Sequence, residues 1–174
     1  MALQTEAAGL VRLAGRDLTT ILGSVADRAS ARDALHDLLP ALIRDYGQMG
    51  AAVAADWYDE AREAAYVRGA FRAVPLEPSD RGAEPLIRWA LGTATDDAAL
   101  NVLILGGVQR RITDHVRLTL ASSSILDPYA QGWQRVGRGE CDWCKQYLDG
   151  EIHYIEGYDF PAHDNCLCSV RPAW

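Results

Sequence analysis

Apolar residues along the first two-thirds of the chain recur every three or four positions, the spacing of one face of an α-helix. Leu3, Leu10, Ala14, Leu18, Ile21 and Val25 make a first stripe, with Arg12, Arg16, Asp17 and Asp27 directed elsewhere. A longer stripe runs through Leu35, Leu39, Leu42, Tyr46, Met49, Val53 and Trp57. It follows Ser30-Ala-Arg-Asp33, which resembles a capping box with Asp in place of Glu. Pro40 should bend this helix early. Gly47, Gly50, Ala51, Ala52, Ala54 and Ala55 add a small-residue surface suited to close helix approach, at about 1 kcal/mol for each glycine. Core packing is the plain reading of the whole stripe. Between Gly69 and Pro85 the residues Pro75, Pro78, Gly82 and Pro85 break the helical pattern and mark a loop or linker. A short helix is expected over 84–91. Another follows a cap at Asp96 or Asp97, with Leu100, Leu103, Ile104, Val108, Ile112, Val116 and Leu120 as its buried face and Ser122-Ser-Ser124 and Asp127-Pro128 as its end.

From Gln131 the pattern changes to short β-like pieces. Strands are expected at 133–136, 152–155 and 168–170, a knuckle with a helical turn at 141–148, and a turn at Asp149-Gly150. The change of period divides the chain into a helical domain over 1–127 and a small α/β module over 128–174. A chain of 174 residues is long enough for such a core with a satellite, burying roughly 70% of its unfolded surface.

Composition narrows the function classes. With 49% hydrophobic and 24% charged residues the chain belongs among folded globular proteins rather than disordered tails. A net charge of −7 argues against coating DNA or RNA, which depends on neutralising phosphates. No uncharged apolar run reaches the roughly 18 residues of a membrane span. Met1 to Gly15 carries Glu6 before any basic residue and lacks the apolar centre of a signal peptide, so synthesis in a reducing cytoplasm is expected.

Cytoplasmic synthesis bears on the thiols, because all four cysteines lie in the last 34 residues, as Cys141-Asp-Trp-Cys144 and His163-Asp-Asn-Cys166-Leu-Cys168. In a reducing compartment clustered cysteines serve as metal ligands more often than as disulfides, although one or two disulfides and uncoordinated buried thiols are the competing readings. A C-x2-C knuckle delivers two thiolates from one turn, and a second group from across a loop completes a tetrahedral Cys3His shell. Cys141, Cys144 and His163 are the leading ligands, with Cys166 and Cys168 competing for the fourth place. Because protein groups fill every position, the expected ion is a structural zinc, which holds together a sheet too small to fold alone. The expected fold class is therefore mainly α, with long amphipathic helices followed by a zinc-stapled α/β module. His153, between Ile152 and Tyr154, reads as a surface or hydrogen-bonding histidine.

The order C-x2-C, Gly157-Tyr-Asp-Phe-Pro161, Ala162-His-Asp-Asn-Cys-Leu-Cys168 and Arg171-Pro172 resembles the C-terminal motif of the Mu F-type (MuF-like) phage head morphogenesis proteins, minor capsid proteins of tailed phages. Cys141, Cys144, His163, Cys166 and Cys168 each match a position of that motif. The segment from Ala41 through Asp56-Trp-Tyr-Asp-Glu60 to Phe71-Arg-Ala-Val-Pro75 is similar to the helical part of the actinobacteriophage branch. Leu167 stands where the family often has a basic or small residue. The resemblance implies a head protein made in the host bacterial cytoplasm and incorporated in the virion in multiple copies. Its implied partners are the portal and/or the major capsid protein, with no specific nucleic acid and no membrane. Members of this branch are often labelled capsid maturation proteases, so processing of scaffold or capsid protein is the alternative.

The residues offer little for that alternative. Ser122, Ser123 or Ser124 with His115 and Asp114 is the nearest approach to a triad, and the serines read better as a helix terminus. A nuclease braced by the cysteines would need basic residues, whereas residues 128–174 carry four basic and seven acidic side chains. Trp133, Trp143, Tyr147, Tyr158, Phe160 and Trp174 serve either as a contact patch for another virion protein or as filling around the ion.

Overall fold

The computed structural model describes residues 2–137, 142–146, 148, 150–153, 160, 162–166 and 168–174. Helices α1 (Ala2–Gly23), α2 (Arg28–Ala64), α3 (Ala83–Thr93) and α4 (Asp97–Leu126) are followed by strand β1 (Gly132–Val136), the one-turn helix α5 (Asp142–Lys145) and strand β2 (Ser169–Ala173). The protein is mainly helical, with a small two-stranded sheet beside a Cys/His cluster at its C-terminal end.

The helices begin and end for local reasons. Asp27, in extended conformation, accepts a hydrogen bond from the Ser30 amide at 2.8 Å and caps α2. The cap is thus Asp27, and Ser30-Ala-Arg-Asp33 lies inside the helix, because an N-cap must precede the first helical residue and the aspartate reaches the N3 amide first. Asp96 caps α4 in the same way through the Ala99 amide at 2.8 Å. Pro85 falls in the first turn of α3, where a proline costs no helical hydrogen bond, so it belongs to the helix rather than to the preceding loop. Pro40 lies within the continuous α2. Ser122, Ser123 and Ser124 are still helical; α4 runs to Leu126 and ends at Asp127.

The buried face of α2 differs from the expected seam in its second half. Leu35, Leu39 and Leu42 are buried as expected, but the face then passes through Ile43, Gly47, Gly50, Ala51, Ala54 and Tyr58 while Met49 is exposed. A strict seven-residue repeat drifts around a helix of about 3.6 residues per turn, so beyond Leu42 the buried face of α2 passes to its small-residue side. That side meets α4. A Cβ on Gly47 would stand 2.6 Å from Nδ1 of His115, so only glycine permits this approach.

Two apolar clusters run along the helices. The first joins Ala14 and Leu18 of α1, Leu35, Leu39 and Ile43 of α2, Leu86, Ile87 and Ala90 of α3, and Leu100, Ile104, Val108 and Ile112 of α4. The second takes Leu3, Ala54, Tyr58, Val116 and Leu120 from the other ends of those helices and adds Trp133, Cys144, Phe160, Ala162, Cys166, Cys168 and Val170. Both α2 and α4 therefore run from the first cluster to the second, α1 runs the opposite way, and the irregular segment after α2 makes the return. That segment is held by Asp59, which accepts from the Ala73 amide, and by Thr119, whose hydroxyl oxygen accepts from the Leu76 amide.

β1 and β2 pair antiparallel, with Trp133 opposite Pro172 and Arg135 opposite Val170. Pro172 fits because Trp133 spends its own amide and carbonyl on His153, on the other side of β1. Of the strand expected at 152–155, His153 is seen as a single bridge, and Tyr154 and Ile155 lie outside the described residues. So do Asp149 of the expected turn, most of Gly157-Tyr-Asp-Phe-Pro161, and Leu167.

Candidate metal centre

Each half of the centre is built on a tight turn. Cys144 sits on α5, whose single helical turn presents its thiol to the second cluster, where the residue is buried. Opposite it, the Cys166 amide donates to the His163 carbonyl at 3.1 Å and closes a four-residue turn. Asn165, with φ 63°, occupies the left-handed position of that turn, a conformation Asn tolerates better than most residues. The H-x-x-C spacing thereby becomes proximity, since His163 and Cys166 are the two ends of one turn.

Cys144, His163 and Cys166 offer ligand atoms all within 4.8 Å of one another and form a cluster that could hold a metal ion. Cys144 Sγ lies 3.7 Å from Cys166 Sγ and 3.2 Å from His163 Nε2. Tetrahedral coordination with metal–sulfur bonds of about 2.3 Å and metal–nitrogen bonds of about 2.05 Å requires edges of roughly 3.8 Å and 3.6 Å. The sulfur pair already has that separation, and the sulfur–nitrogen pair has to open by a few tenths of an ångström. The tautomer is suited as well. His163 Nδ1 donates to the Asp164 carbonyl at 2.6 Å, which leaves the Nε2 lone pair facing Cys144.

Cys168 is buried beside the cluster, its thiol interacting with those of Cys144 and Cys166, though it lies outside the mutual 4.8 Å group. Its sulfur stands 2.7 Å from the place a Cβ on residue 137 would occupy, so Gly137 at the end of β1 makes room for it. Cys141 lies outside the described residues. Cys144, Cys166 and Cys168 are free thiols, not cystines. Of the expected ligands, the fold thus gathers Cys144, His163 and Cys166, with Cys168 adjoining. His153 is elsewhere, stacked on the Trp133 indole at 4.5 Å.

The charge around the sulfurs is uneven. Burial first, then the neighbouring thiols of Cys168 and Cys166, pushes the Cys144 thiol up to about 12, so it keeps its proton in the metal-free chain. Burial acts the same way on Cys166, but the Cys168 amide and the Arg117 charge outweigh it and its thiol titrates below the ordinary range. Arg117 is fully buried, and Arg135 lies with one guanidinium nitrogen 3.9 Å from Cys166 Sγ. Both guanidiniums lie over the Phe160 ring, at 5.0 and 4.0 Å from its centroid. Sequence reasoning missed these two arginines. The available signal was a basic residue at 117 beside Val116 of the apolar stripe of α4, three residues after Asp114.

The aromatic residues divide in favour of filling. Trp133 and Phe160 are buried, and Trp174 packs edge-on against Tyr58 at 5.6 Å. Trp143 is exposed, while Tyr147 and Tyr158 lie outside the described residues. Of the groups considered for a protease, His115 Nε2 and Ser123 Oγ are buried without a hydrogen-bond partner among the described residues, and Asp114 and Ser124 are engaged. Asp114 pairs with Arg117 at 2.7 Å, His115 shares a hydrogen bond between Nδ1 and the Arg111 carbonyl, and the Ser124 hydroxyl donates to the Leu120 carbonyl.

Among the described residues no helix is long and apolar enough to cross a membrane. No curated protein and no solved structure matches the chain. The family model described as VG15 protein matches residues 1–174, its whole length. The chain therefore belongs to the VG15 protein family, a viral gene 15 family, and is a phage protein.

Proposed function

We propose that this phage protein is a structural minor capsid protein of the MuF-like type, incorporated in the virion head near portal or capsid and closed at its C-terminal end by one structural zinc ion. The observation that carries the reading is the convergence of Cys144, His163 and Cys166, whose ligand atoms all lie within 4.8 Å of one another, with both thiols in the second apolar cluster. Membership of a phage family over the whole chain and the motif Cys141-x2-Cys144…His163-x2-Cys166-x-Cys168 support the head assignment. Thiolate and imidazole ligands in tetrahedral array favour zinc over harder cations. Cys144, His163 and Cys166 would hold it, with Cys141 or Cys168 as the fourth ligand. The ion's contribution is cross-linking: it joins α5 to the turn before β2, two elements of only a few residues each. With Cys141 or Cys168 in the fourth place no coordination position is left open for a substrate, which is why a structural ion is preferred to a catalytic one.

The protease alternative gains no support from Asp114, which pairs with Arg117, or from Ser124, whose hydroxyl donates to the Leu120 carbonyl. Two measurements test the proposal. Elemental analysis of the purified chain should find about one zinc per chain, and mass spectrometry of purified virions should find the protein among the head components. A metal-free chain of equal stability would remove the zinc, and virions without the protein would remove the head role.

A further inference from the structure

Arg117 projects from α4, a helix that carries none of the candidate ligands, yet its fully buried guanidinium reaches the C-x-C pair. Its Nε donates to the Cys168 carbonyl at 2.8 Å and its Nη2 to the Cys166 carbonyl at 2.7 Å. The third corner of the guanidinium is taken by Asp114 Oδ1, which accepts from Nη1 at 2.7 Å one helical turn back. Asp114 in turn has Arg110 Nε within 3.6 Å of its other oxygen. The planar fork is thus clamped in orientation by α4 itself and bridges two carbonyls that belong to consecutive cysteines of the Cys166-x-Cys168 segment.

We propose that Arg117 is a positioning residue for the metal: it sets the spacing and direction of Cys166 and Cys168 and makes α4 the anvil against which the ion's shell is assembled. The inference rests on the metal reading given above. Its physical basis is that a residue's carbonyl fixes the orientation of the peptide plane next to the Cα on which the side chain is mounted. Holding two such planes with one rigid fork removes the backbone freedom that metal binding would otherwise have to remove. Occupancy of the site is then coupled to α4 by a direct, short path. Lysine at 117 keeps the charge and a long stem but lacks the planar fork that spans both carbonyls.

The test uses the full chain freed of metal and titrated with Co2+, with the visible absorption bands of tetrahedral thiolate-bound cobalt as readout, followed by competition with Zn2+. Arg117→Lys should bind both ions about 10–100-fold more weakly and with a shifted cobalt band envelope. Ile104→Val, in the first apolar cluster, serves as the comparison: it should lower thermal stability and leave affinity and spectrum unchanged. Wild-type affinity with a wild-type cobalt spectrum in Arg117→Lys overturns the proposal, whatever that variant's stability. If Arg117→Lys does not fold, Asp114→Asn carries the test, because it weakens the clamp that α4 places on the fork. Weaker cobalt binding in Asp114→Asn supports the proposal and unchanged binding overturns it. A wild-type chain that takes up neither ion overturns the metal reading, and this inference with it.

Discussion

The two ends of the helical body are held together by different chemistry. Around Leu35, Ile43, Ile87 and Ile104 the core is aliphatic, assembled from four helices, and burial of apolar surface stabilises it, with polar links such as Arg28 to the Leu91 and Ala94 carbonyls at its margin. Around Tyr58, Trp133, Phe160 and the three cysteines the core includes aromatic rings, thiols and the buried cations Arg62, Arg117 and Arg135. Each of these polar groups has to find a partner or stay costly. The first end tolerates imprecision, because apolar side chains of about the right size suffice. The second requires particular atoms at particular distances, and it is where the candidate metal and the two short strands lie.

Removing the metal, or Cys144→Ser, should break the contrast most strongly. Structural zinc in small modules supplies about 10–16 kcal/mol of apparent binding free energy, comparable with the whole stability of a domain. Hydrogen exchange should show amides of β1 and β2 losing protection while those of α3 and the first half of α2 keep theirs. Loading the metal-free chain near neutral pH should release protons, since the Cys144 thiol, raised by burial and neighbouring thiols, is protonated until the ion displaces its proton. Lowering the pH should reverse the loading. A titration of released protons against added zinc measures both directions.

Next in size is Asp127→Ala. Asp127 caps α4, accepts from Arg62 Nε at 2.7 Å and from the Tyr58 hydroxyl at 3.2 Å, and is almost wholly buried. Leaving Arg62 buried without it should cost about 3–5 kcal/mol in denaturant unfolding. Burial raises the Asp127 carboxyl, but the Arg62 and Tyr129 hydrogen bonds outweigh it and the group titrates below its ordinary value. A carboxyl depressed in the folded state stabilises fully above its unfolded pKa of about 3.9, and that contribution disappears as pH falls through the lower folded value. Acid unfolding of the wild type should therefore contain a component that Asp127→Asn lacks.

Ile104→Ala sharpens the comparison from the other side. It should cost about 2–5 kcal/mol through burial lost and cavity left, with zinc affinity of the folded fraction unchanged. The smallest effect is expected from Gly47→Ala, where the new methyl meets the His115 ring. Overpacking of about 1–3 kcal/mol is offset by about 1 kcal/mol of improved helix propensity. Thermal unfolding measures the net loss, and a Gly47→Ala variant more stable than wild type would show that α2 and α4 are free to separate.

Much of this architecture is legible in the residues. The stripe from Leu100 to Leu120 identifies α4 and its inner face, and His163-x2-Cys166 announces a pair that a single turn brings together. Other features are not, for identifiable reasons. The face of α2 beyond Leu42 is easily misassigned when large apolar residues are weighed above glycine and alanine, whereas close packing against His115 selects the small ones. Asp27 is masked as a cap because a similar motif follows three residues later. Arg117 and Arg135 carry no motif at all.

What the sequence determined by itself is local: helical period, the caps within reach of their own amides, and ligand pairs three residues apart, all set by interactions between near neighbours. Tertiary structure decided which helix faces meet, which cysteines join His163, and that Arg117 reaches the carbonyls of Cys166 and Cys168 from another element. Those contacts join residues about 50 positions apart, and no periodicity along a chain encodes the partner of a buried charge. That partner exists only once packing has excluded water and left the charge a single place to go.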